Sequence, residues 1–94
     1  MKGRAFAIEY FDTGALILRA DDARMIRLNP TGAEILRLVE SGRSEREIVA
    51  GIGRLFGIAD EEAAEALESV RSQLMELGVP FAALRDAAAG GESQ

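Results

Sequence analysis

Two short apolar stretches, residues 6–11 (Phe-Ala-Ile-Glu-Tyr-Phe) and 15–20 (Ala-Leu-Ile-Leu-Arg-Ala), open the chain and are separated by Asp12-Thr13-Gly14. Runs of this length, rich in aromatic and aliphatic residues and broken by a three-residue loop with glycine last, predict a β-hairpin. A second polar break, Asp21-Asp22-Ala23, leads into Arg24, Met25, Ile26, Arg27 and Leu28, whose arginines flank an apolar pair. That predicts a third strand and a three-stranded antiparallel meander. In this order the third strand has a neighbour on one side only, so its outer backbone groups need a cover or a guest.

At Asn29 the period changes. Asn29 is a good N-cap, Pro30 suits the first helical position, and Ile35, Leu36, Leu38 and Val39 follow at helical spacing, so helix one runs over 30–40. Ser41-Gly42 stops it, and Ser44-Glu45-Arg46-Glu47 has the form of a capping box that starts helix two, with Ile48, Ile52, Leu55 and Phe56 inward and Gly57 beyond its end. Asp60 is the expected cap of helix three, where Ala63, Ala66, Leu67, Val70, Leu74 and Leu77 form one stripe closed by Gly78 and Pro80. Residues 79–84 are expected to pack back on the core. The reading is an α+β domain over 1–84, winged-helix-like, with a three-stranded antiparallel sheet followed by three helices, and a flexible tail over 85–94.

Composition narrows what such a domain does. The 94 residues contain no cysteine and no histidine, which removes thiolate nucleophiles, imidazole bases, the usual zinc ligands and any disulfide. No cofactor and no metal is expected, and catalysis is not. The acidic residues Glu61, Glu65 and Glu68 read as a solvated helix face. Without a signal-peptide run or a membrane-length apolar segment, the expected location is the cytoplasm, away from membranes. Eleven basic against sixteen acidic residues give a net charge of −5, which repels a phosphate backbone, so no nucleic acid is expected.

The stretch Leu28-Asn29-Pro30-Thr31-Gly32-Ala33, with Ile35-Leu36 after it, resembles the passage from third strand to first helix in PqqD-like proteins. Gly42-Arg43-Ser44 through Ile48 resembles that family's start of helix two, and Leu74 to Val79 its close of helix three. Many family members carry an acidic residue near the position of Ala66, where this chain has Glu65 and Glu68 beside it.

The resemblance implies a RiPP recognition element, a domain that binds the leader segment of a ribosomally made precursor peptide for a modifying enzyme such as a radical SAM protein or a leader peptidase. It implies that the leader lies along the third strand and sends side chains into a groove against helix three. The expected peptide-binding residues are Arg24, Met25, Ile26, Arg27 and Leu28 on the strand, and Ala63, Ala66, Val70, Arg71 and Leu74 on the helix, with Gln73 a further groove candidate. Other readings of the same features are a strand edge covered by the tail or a second copy, and edge arginines that merely discourage aggregation. The chain is expected as a monomer or a strand-exchanged homodimer. A winged-helix DNA-binding regulator is the alternative function, opposed by the glutamates of helix three.

Overall fold

The computed structural model of the protein describes residues 6–92, and side chains through Asp86. Strands β1 (Phe6–Phe11), β2 (Gly14–Arg19) and β3 (Met25–Leu28) form one antiparallel sheet in the order β1-β2-β3. Phe11 pairs with Gly14, so the hairpin turn is the two residues Asp12-Thr13, one fewer than the sequence suggests. Gly14 is required there. Its φ is +144°, and a Cβ at this position would collide with the Leu28 carbonyl oxygen, so the hairpin rests directly on the main chain of β3.

Helices α1 (Pro30–Glu40), α2 (Glu45–Phe56) and α3 (Asp60–Glu76) follow. Asn29 caps α1 by accepting from the Gly32 amide at 2.8 Å, and Ser44 with Glu47 forms the expected box at α2. At α3 the cap is Ala59, one residue before the Asp60 that the sequence suggests. Alanine has no acceptor to offer, so only the reciprocal half survives, with the Glu62 carboxylate accepting from the Ala59 amide at 3.4 Å. The far end closes as a Schellman turn: Val79 N–H donates to the Leu74 carbonyl and Gly78 N–H to that of Met75, with Gly78 at φ +75°.

A fourth helix, α4 (Phe81–Glu92), continues where the sequence suggests only a returning segment and then a tail from residue 85. Its Phe81 and Leu84, with Val79 before it, are buried, so this segment does pack back on the core as expected. The second half of this helix is alanine and glycine, so its sequence lacks the apolar period that marks a helix.

All helices lie on one face of the sheet. Phe6, Ala15, Ile17 and Leu28 face them, meeting Ile35, Leu36 and Val39 of α1, Ile48 and Ile52 of α2, and Leu67, Val70 and Leu74 of α3 in one core. Helix α1 is central, touching the sheet and each of the other helices. Tyr10 of β1 donates to Glu40 at 2.6 Å, and Arg37 lies over its ring at 4.2 Å. Burial first, then the Glu40 hydrogen bond, holds the Tyr10 phenol well above its ordinary range.

Candidate functional site

Arg19 sets the spacing between sheet and α3. Its guanidinium donates to the Leu77 carbonyl and lies within 4.0 Å of both Asp21 and Asp22, in the turn before β3. Helix α3 has no basic residue in its own last turn, so this side chain supplies the cation that its negative end favours. The start of β3 is thereby level with the C-terminal end of α3. At the other end of β3, Gly32 lets α1 approach α3: a Cβ there would stand 3.1 Å from Leu28 Cβ and 3.4 Å from Val70 Cγ2.

Between these two anchors α3 and the β3–α1 junction stand apart, leaving a groove of about 700 Å³. One wall is Arg27, Leu28, Asn29, Thr31 and Gly32; the other is Ile58 with Glu62, Glu65, Ala66, Ser69, Val70 and Gln73. Ala66 and Ser69 keep the middle of the helical wall low. The outer side of the sheet carries a second hollow of about 480 Å³ bordered by Phe11, Leu16, Met25, Ile26 and Arg27, with Met25 57% exposed.

The β2–β3 register fixes which backbone groups of β3 are free. Arg19 N–H donates to the Arg24 carbonyl, and Ile17 pairs with Ile26 two positions along. In an antiparallel pair hydrogen-bonded positions alternate, so Arg24, Ile26 and Leu28 bond inward to β2. Met25 and Arg27 therefore direct both N–H and C=O to the open edge.

Among the residues singled out in the sequence, Arg27, Leu28, Ala66 and Val70 come together at the groove, and so does Gln73. Met25 and Ile26 border the outer hollow, and Arg24 lies exposed just before the strand. Ala63 and Leu74 are placed in the core, at 1% and 0% exposure. Arg71 points away from the groove, donating to Glu45 of α2 at 2.6 Å and to Glu68, and lying 4.7 Å over the Phe81 ring. The Glu45 hydrogen bond raises its pKa above the ordinary arginine value. Thr31, Gly32, Ile58, Glu62 and Ser69 line the groove without having been singled out as lining residues. Glu62 and Ser69 lie one step around α3 from its buried stripe, Thr31 and Gly32 belong to the start of α1 and Ile58 to the turn before α3, so the five join one lining only once β3 is positioned.

No curated protein matches the chain in sequence. Among solved structures the fold is similar to a chain described as "TbiB1 in Complex with the TbiA(beta) Leader Peptide", with a TM-score of 0.70 and 20% identity over 81% of this chain and 88% of that one. The family model described as "Coenzyme PQQ synthesis protein D (PqqD)" matches residues 14–79, from the hairpin glycine to the end of the turn that closes α3. Since that match spans well over half of the sequence, the chain belongs to the PqqD family.

Proposed function

We propose that this protein binds the leader segment of a ribosomally synthesised precursor peptide as a fourth strand on β3 and presents it to a modifying enzyme. The observation that carries the reading is the open edge of Met25 and Arg27 beside a groove deep enough for side chains. The similar fold of TbiB1, described in complex with a leader peptide, supports it. The presenting role is that of an adaptor without chemistry of its own, acting in the cytoplasm beside a radical SAM protein or a leader peptidase.

Magnitudes decide how the work is divided. Two outward residues offer four main-chain groups, and at about 1 kcal/mol net each they supply about 4 kcal/mol. A 1 μM complex needs about 8.2 kcal/mol. The remainder has to come from side chains, alternately entering the groove and the outer hollow. DNA binding is not favoured, because α3 presents Glu61, Glu62, Glu65, Glu68 and Glu76, while its one arginine, Arg71, is already paired.

Titration with the leader of any precursor peptide found encoded beside this gene tests the reading. Binding tighter than about 100 μM is expected, roughly −5.5 kcal/mol. The amide signals of Met25, Arg27 and the α3 wall should move. Shifts confined to α2, with β3 unmoved, would eliminate strand addition.

A further inference from the structure

We infer that the groove selects a peptide segment carrying a basic side chain two positions from a bulky apolar one, the base lodging against Glu62 and Glu65. The inference rests on the peptide-binding reading and goes beyond it by assigning ligand chemistry to the two ends of the groove. Its first support is register. In a strand added to β3, the residues opposite Ile26 and Leu28 point to the helix-facing side of the sheet, where Ile26 packs against the core and Leu28 borders the groove. Successive same-face positions are two residues apart, about 6.6 Å along the strand.

The α3 wall has a matching repeat. Gly32 and Leu28 are level with Val70, so a ligand side chain opposite Leu28 sits over Ala66, Ser69 and Val70, where the wall is low and partly apolar. A bulky apolar group fits there. Helix α3 rises about 1.5 Å per residue, so the four residues from Ala66 back to Glu62 cover about 6 Å, one same-face step of an extended chain. That step runs past the end of β3 toward Ile58, where Glu62 and Glu65 both line the groove.

Charge at this end is one-sided. Among the described residues no arginine pairs with Glu62 or Glu65, and Glu62 makes only its 3.4 Å contact to the Ala59 amide. The nearby start of α1 offers little to an anion, since Pro30 has no N–H and the Gly32 amide is already taken by Asn29. Among the described residues Arg27, on the opposite wall, is the only cation lining the groove, and it belongs to the β3 end. A lysine or arginine of the ligand is therefore complemented at the Glu62–Glu65 end and repelled nearer Arg27.

The test is a displayed library of random twelve-residue peptides, selected on the whole protein and on a Glu62→Gln/Glu65→Gln variant, with each recovered peptide then titrated against the labelled protein. The expected result is enrichment of lysine or arginine two positions from an aromatic or large aliphatic residue. Those peptides should weaken by up to about fivefold per carboxylate removed, with the difference shrinking as salt rises. Both glutamates are exposed, so the variant should keep its fold, and an unchanged melting profile checks this. Peptides that move the Met25 and Arg27 amides but show no basic preference, or bind the variant equally well, overturn the inference and leave the peptide-binding reading standing. Recovered peptides that never move those amides overturn both.

Discussion

The two flanks of α3 are built for opposite purposes. On one, Arg71 ties the helix to α2 through Glu45 and lies over Phe81 of α4, so three helices are fixed together. On the other, Glu62, Ala66, Ser69 and Gln73 face the groove, beside a strand edge that no other described strand pairs with. A side chain that looks like a ligand contact in the sequence, Arg71, belongs to the fixed flank. The difference shows how a small domain keeps a groove wall straight: Arg71 fixes the helix from behind, and Arg19 holds its C-terminal end to the sheet.

The largest effect should come from the residue both flanks share. Leu74 is fully buried, and Leu74→Ala should lower stability by about 2–5 kcal/mol in a denaturant titration, taking both flanks with it. Next comes the edge itself. Arg27→Pro removes an outward N–H while sparing the β2 ladder, and its ring stands in the way of an added strand, so leader affinity should fall about tenfold or more at nearly constant stability. Ile26→Pro, which strikes an inward bond, should unfold the sheet instead; calorimetry on the pair distinguishes them. Ala66→Leu fills the groove flank and should cost about tenfold in affinity, measured by titration, while the melting temperature holds. The smallest effect is expected on the fixed flank. Arg71→Ala should cost about 1 kcal/mol of stability, less at high salt, with leader affinity unchanged.

The elements were legible in the sequence wherever a residue type carries its own backbone signal. Asn29 before Pro30, the Ser44–Glu47 box and Gly78 mark helix ends because each satisfies or permits a particular terminal geometry. The cap of α3 was displaced by one because Ala59 has no side-chain oxygen to announce it. The groove was only half legible. A 3.6-residue stripe tells which face of α3 meets the core, and this is why Ala63 and Leu74 stand out; the groove face lies beside that stripe. Choosing Glu62 and Ser69 requires knowing where β3 passes, which depends on Arg19 and Gly32, both far away in sequence from the wall they position.

Gly14 ties the hairpin to β3 more closely than its distance along the chain implies. With no side chain between the turn and the Leu28 carbonyl, main chain touches main chain, and opening the hairpin must disturb the end of β3. Linkage then works in reverse. A guest that holds β3 in its paired state lowers the frequency of local opening, so hydrogen exchange at the Phe11–Gly14 turn should slow on leader binding, although the leader touches neither residue. On the proposed binding mode, a precursor peptide would stabilise the hairpin of its receptor from the far edge of the sheet.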